Sequence, residues 1–120
     1  MSEHPWRDPS EAERALAADW IAAWNAVTGD TSSLPAGWRA AKDCACGCPT
    51  FAVTPVVLKQ PECRTGPLPV HGSASTADGA SLAGLVAFWA DEILHIEVYS
   101  LVGPMPELEQ LTFTLESHPS

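Results

Sequence analysis

Ser10 and Glu13 stand three residues apart at the head of an apolar stripe that runs through Leu16, Trp20, Ala23, Trp24 and Val27 and stops at Thr28-Gly29. A serine at a helix start accepts a hydrogen bond from the free N–H three residues on, and the glutamate there reaches back to the serine N–H. The pairing therefore predicts a helix over Ser10 to Val27. Spacings of three and four place both indoles on one face and turn Glu11, Arg14 and Asp19 elsewhere. Gly29 can take the left-handed conformation that closes a helix, and Asp30 to Gly37, with Leu34-Pro35, reads as a loop. There is no internal repeat and no heptad pattern. A single helix with two tryptophans on one face needs a sheet to bury them.

The rest of the chain supplies short β-like segments. Trp38 to Cys44 reads as a strand and Phe51 to Leu58, rich in β-branched residues, as a second, with Gly47-Cys48-Pro49 as the turn between them. Pro55 has no N–H for a ladder hydrogen bond, which predicts an edge position or a bulge for the second strand, and we expect the edge. Leu82 to Trp89 and Ile93 to Ser100 flank Ala90-Asp91-Glu92 as a hairpin. In its second arm Leu94, Ile96 and Val98 alternate with His95, Glu97 and Tyr99, so the apolar set should face the helix. Leu111 to Leu115 can add a last strand. The fold class that results is α+β: an N-terminal amphipathic helix packed on one face of a small, mainly antiparallel sheet.

A length of 120 residues fits one domain with one core. Within it, residues 1–9 read as a flexible N-terminus, 59–80 as a long loop rich in proline, glycine, serine and threonine, and 116–120 as a flexible tail. Fifteen acidic against six basic side chains give a formal net charge of -9. That charge repels phosphate backbones and anionic bilayers, so neither nucleic acid nor membrane is an expected partner, whereas a basic protein is. The apolar stretches around Ile21 and Leu85 fall short of the roughly 20 residues that a spanning helix needs. Met1 to Asp8 carries acidic residues and proline where a signal peptide needs a basic start and an apolar run, so a cytoplasmic location is expected.

The chemically pointed feature is Cys44-Ala45-Cys46-Gly47-Cys48-Pro49. On a strand the three thiols share a face, and a turn at Gly47 swings Cys48 toward Cys44, so either geometry gathers sulfur. Zinc takes four tetrahedral thiolate or imidazole ligands. Cys44, Cys46 and Cys48 with Cys63, or with His71 as the alternative fourth ligand, would complete such a set. The spacing is not that of paired zinc knuckles, and free cysteine also packs as a small apolar side chain, so packing, metal binding and thiol chemistry all stay open. A reactive thiolate needs nearby positive charge, for which Lys42 and Arg64 are the local cations.

His95, Glu97 and Tyr99 project from one strand face. They form either an acid–base set or the solvent side of an ordinary half-exposed strand. Trp6, Trp38 and Trp89 line a cleft or fill the core. No glycine-rich phosphate loop, nucleophile elbow or paired-histidine zinc helix occurs, and enzyme activity has no positive support in the sequence.

Cys46-Gly47-Cys48-Pro49-Thr50 and Ile96-Glu97-Val98-Tyr99-Ser100 together resemble a group of small uncharacterised, mostly actinobacterial proteins with a CGCPS-like turn and a closing LEVYS-like strand. Thr50 stands where serine is usual in that group. The resemblance covers about the C-terminal two-thirds of the chain and implies the order of elements. It brings no catalytic or binding residues. Three functional classes follow from the sequence: a non-enzymatic interaction domain docking a basic protein, a zinc-stabilised domain, and a thiol-based redox sensor or enzyme.

Overall fold

The capping box forms as its sequence requires. In the computed structural model, which describes residues 6–42, 49–58 and 67–117, helix α1 spans Glu11–Thr28. The Glu13 N–H donates to Ser10 Oγ at 3.1 Å, and the Ser10 N–H donates to Glu13 Oε1 at 2.8 Å. Gly29 closes the helix with φ 76° and donates its N–H to the Asn25 carbonyl. The loop beyond is tied back to the last turn: Asn25 Nδ2 donates to the Ser32 carbonyl at 2.8 Å, and the Ser32 N–H returns to Asn25 Oδ1 at 3.0 Å.

The stripe expected from the spacing is the buried face. Leu16, Ala17, Trp20, Ile21 and Trp24 are buried, and Ala23 and Val27 pack at the margin. Trp20 and Trp24 stack nearly parallel with ring centroids 5.6 Å apart. Their polar ends are satisfied, Trp20 Nε1 on the Val70 carbonyl at 3.3 Å and Trp24 Nε1 on Asp30 Oδ2 at 2.9 Å. An indole can be buried this deeply only when its N–H finds such a partner.

Six strands form one antiparallel sheet in the order β1-β2-β5-β4-β3-β6: β1 (Arg39–Lys42), β2 (Phe51–Thr54), β3 (Val70–Thr76), β4 (Leu82–Ala90), β5 (Ile93–Val102) and β6 (Leu111–Ser117). A 3-10 turn, Leu108–Gln110, leads into β6. α1 lies over β3 and β6 on one face. Leu94, Ile96 and Val98 are buried in the core shared with the helix, as the alternation of β5 demands. Between the larger Val70 and Leu85, the core-facing positions of β3 and β4 are small (Gly72, Ala74, Ala83 and Ala87), which leaves room for two indoles in the same core. The fold is α+β, with one N-terminal helix on an antiparallel sheet.

Four expectations change. Proline 55 does not make β2 an edge strand: β2 ends at Thr54, one residue before the imide, and lies inside the sheet between β1 and β5. The long loop expected at 59–80 contains β3, a strand with Gly72 at its centre. A Cβ at Gly72 would stand 2.6 Å from the Thr114 carbonyl oxygen, so close strand approach demands glycine where propensity argues against a strand. At the N-terminus, Arg7 exchanges two backbone hydrogen bonds with Ala40 at 2.8 and 2.9 Å, and Pro9 is buried, so 7–9 belong to the fold. At the other end Glu116 and Ser117 close β6. The hairpin forms with a loop of two residues, Asp91 (φ 55°) and Glu92 (φ 62°), since Ala90 pairs with Ile93. Two successive positive φ values are the geometry that matches the twist of a tight hairpin.

Candidate functional site

Cys44, Cys46, Cys48 and Cys63 lie outside the described residues. The anchors of their segments are described. Lys42 ends β1 and Pro49-Thr50 lead into β2, so the segment with three cysteines joins two paired strands at the Val98 end of β5. Thr50 fixes that junction: its buried hydroxyl accepts from the Val98 N–H at 2.9 Å and donates to the Val98 carbonyl at 3.2 Å. The segment with Cys63 is anchored toward the hairpin tip, by the Val56 N–H on Glu92 and the Leu68 N–H on Ala87. His71 sits on β3 opposite Glu116 of β6, on the face away from the helix and three strands from β2 in the sheet, a separation of about 14 Å at normal strand spacing. Among the described residues no three His, Cys, Asp or Glu side chains converge on a metal-sized site.

Lys42 and Pro49 also line a cleft of about 390 Å³ between the start of α1 and the 3-10 turn. Its wall is the ion pair of Arg7 and Glu13. Arg7 Nη1 and Nη2 donate to Glu13 Oε1 and Oε2 at 2.7 and 2.8 Å, while the Ser10 N–H also donates to Oε1. Burial works to push the Glu13 carboxyl up, but the hydrogen bonds from Arg7 and Ser10, with the Arg7 charge, outweigh it and hold the group below its ordinary range. The same hydrogen bond, helped by the charge and opposed by burial, raises Arg7. A carboxylate held ionised by three donors is a poor proton-transfer group at neutral pH. The pair works as a clamp that fastens the segment before the helix to the helix and, through Ala40, to β1. The sequence shows the capping role of Glu13 but gives no sign of Arg7, whose approach depends on the bridge to β1.

Among the described residues no helix covers the opposite sheet face. Register alignment puts Thr112, Ser75, Leu82 and Val102 in one row across β6, β3, β4 and β5, and Thr114, Ser73, Gly84 and Tyr99 in the next. Glu116 pairs with His71, and Glu97 with Val86, in the third; Phe88, His95, Ala52 and Ala41 follow. His95, Glu97 and Tyr99 thus share this face, stepped about 7 Å apart along β5. The Tyr99 ring lies across Gly84: a Cβ there would collide with Tyr99 Cζ. A glycine opposite an aromatic ring is a recurrent cross-strand pairing, and here it lays the ring flat on the sheet.

Beside that ring the apolar surface is open. Leu82 is 41%, Tyr99 43%, Val102 55% and Leu101 58% exposed. A register shift between Leu82 and Ala83 sets Val102 opposite Leu82 and leaves Leu101 as the extra residue of a bulge. Large apolar side chains exposed singly are ordinary, but four together at one end of a sheet form a patch. Trp38 and Trp89 pack against the core instead, the latter with Nε1 on the Val56 carbonyl at 2.7 Å, and Trp6 is half-buried.

No protein-family model matches the chain, and neither does any curated protein or any solved structure. Among the described residues no helix is long and apolar enough to cross a membrane.

Proposed function

We propose that this domain is a non-enzymatic docking module that binds a basic protein across its open sheet face. The observation that carries the reading is the patch of Leu82, Tyr99, Leu101 and Val102 on a chain of net charge -9. Tyrosine is a favoured interface anchor because it combines large contact area with few rotatable bonds and a polar tip. Glu97 and Glu116 stand in the row beyond Tyr99, and Arg39, the arginine of this face among the described residues, lies at the far edge near Asp8, 3.8 Å between Nη1 and Oδ1. A partner offering lysine or arginine around an apolar contact complements both features, and its association would weaken with salt.

The test compares capture by the full chain, by Tyr99→Ala and by Val102→Lys, each verified as folded by thermal unfolding. The expected result is a basic partner retained by the parent chain at low salt and released at high salt. Tyr99→Ala weakens it by about 2 kcal/mol, roughly 30-fold in Kd. Retention of the same proteins by both variants, or an acidic partner, overturns the reading. A second reading follows from Lys42 and Pro49: three of the six residues between them are cysteines, and both line the cleft. In that reading Cys44, Cys46 and Cys48 hold zinc with Cys63, since His71 lies on the far face three strands from β2. Stoichiometric zinc by elemental analysis, with loss of folding on chelation, would support it, and a metal-free folded protein would exclude it.

A further inference from the structure

β6 is the last strand of the sheet, and its outer edge is the candidate. Thr76 donates its N–H to the Ser81 carbonyl on the β4 side, and the Leu68 N–H donates to Ala87, also on β4. Backbone groups alternate in direction along a strand, so the even-numbered residues of β3 face β4 and the odd-numbered ones face β6. Ser73 and Ser75 pair with Thr114 and Thr112, which makes these the β6 residues bonded to β3. The N–H and C=O groups of Phe113 and Leu115 therefore point away from the sheet, into the edge.

Sheets usually guard such an edge with lysine, proline or a bulge. β6, Leu-Thr-Phe-Thr-Leu-Glu-Ser, has none of these, and Glu116 is its one charged residue. Along the core side of the edge runs a groove of about 320 Å³ between α1 and β6, lined by Ala12, Ala15, Leu16 and Phe113 with Asp19 and Glu109 at its margins and no lysine or arginine. The small alanines open space for a side chain entering beside the strand. The groove's acids, with Glu116 on the other side of the sheet, select the occupant: a second copy of a chain of charge -9 is repelled, and a basic extended segment is attracted.

We propose that a basic, extended segment of the partner adds to the Phe113–Leu115 edge of β6 as a seventh strand, with alternate apolar side chains in the α1–β6 groove. This rests on the reading of the domain as a docking module for a basic protein. Backbone pairing gives affinity in such additions, and the pockets for alternate side chains give selectivity.

The experiment uses the full chain and a blocked heptapeptide alternating lysine and valine, alongside the same peptide N-methylated on every valine or on every lysine. Amide exchange is read residue by residue. In the free protein Phe113 and Leu115 exchange quickly; saturating peptide is expected to slow both by about tenfold or more, because each gains an acceptor or a shield from water. One methylated peptide should bind like the parent and the other should not, since only one set of N–H groups faces β6. Replacing Asp19 by lysine should weaken the parent peptide several-fold.

Equal binding by both methylated peptides means attraction without strand pairing and overturns the proposal, as does the absence of peptide binding. Slow exchange of Phe113 and Leu115 without peptide, increasing with protein concentration, would assign the edge to a second copy and also overturn it. The docking reading is tested separately by capture with Val102→Lys, a residue outside this edge, so the two can fail independently.

Discussion

Removing either partner of the Arg7–Glu13 pair should weaken the fold by different routes. Glu13→Ala deletes the bidentate contact and the half of the capping box that returns to the Ser10 N–H. A lost cap contributes about 1 kcal/mol. The ion pair adds only about 1 kcal/mol more, because the Arg7 side chain is 45% exposed and water replaces much of what it loses. Glu13→Ala should then cost about 2 kcal/mol, moving a urea midpoint by roughly 1 M. Arg7→Ala leaves the carboxylate, its side chain 9% exposed, with the Ser10 donors alone, at a cost of about 2 kcal/mol for a poorly compensated buried charge. Because the Arg7→Ala cost exists only while Glu13 is present, the two should couple by about 2 kcal/mol in a double-mutant cycle.

Acidity separates the two variants further. The folded-state pKa of Glu13 is depressed, so the stability it contributes is fully present above the ordinary glutamate pKa and disappears as pH falls through the lower folded value. The gap between the parent chain and Glu13→Ala should therefore hold at neutral pH and narrow below about pH 4. In Arg7→Ala the largest influence left on Glu13 is burial, which raises its pKa, so that variant should recover part of its deficit on mild acidification. Urea unfolding followed by tryptophan fluorescence across this range is the assay. Single variants that both lie within about 0.5 kcal/mol of the parent, with no coupling, would refute the clamp.

Other substitutions probe particular contacts. Thr50→Val should cost about 1–3 kcal/mol because it strands the Val98 N–H and C=O in the core, whereas Thr50→Ser keeps the hydroxyl and should unfold within about 1 kcal/mol of the parent; equal losses would argue against that role. Gly72→Ala should cost about 3 kcal/mol or more by forcing β3 from β6, since its Cβ meets a backbone carbonyl rather than a side chain that can swing away, and an unchanged melting temperature would contradict the register. Glu92→Gly should add about 1 kcal/mol by relieving a left-handed residue at the hairpin tip, seen as a rise of several degrees in Tm.

The parts of the fold legible in the sequence are those where one local rule acts alone. Ser10, Glu13 and Gly29 delimit α1, and the alternation of Leu94, Ile96 and Val98 identifies the buried face of β5. β3 escaped because Val70–Thr76 is a strand of small and polar residues whose pairing depends on close approach to Leu115 and Thr114, a requirement that composition does not display. Pro55 misled for a related reason: proline forbids a ladder bond at its own position but says nothing of a strand that ends one residue earlier. At the candidate site, His95, Glu97 and Tyr99 were legible as one face. The patch was not, because it joins Tyr99 to Leu82 and Val102 through a cross-strand register and a bulge. The cysteines stand out in the sequence, but they lie outside the described residues, while the clamp in the cleft lined by Lys42 and Pro49 arises from a long-range bridge to Ala40.

The central claim is that a basic partner sits on the face opposite the helix. Its most direct test is backbone chemical-shift mapping of the full chain as the captured partner is added at low salt. The largest changes should fall at Leu82, Gly84, Tyr99 and Val102 and should reverse on adding salt. Changes confined to Lys42, Pro49 and Thr50, with the open face unmoved, would contradict it and direct attention to the cleft.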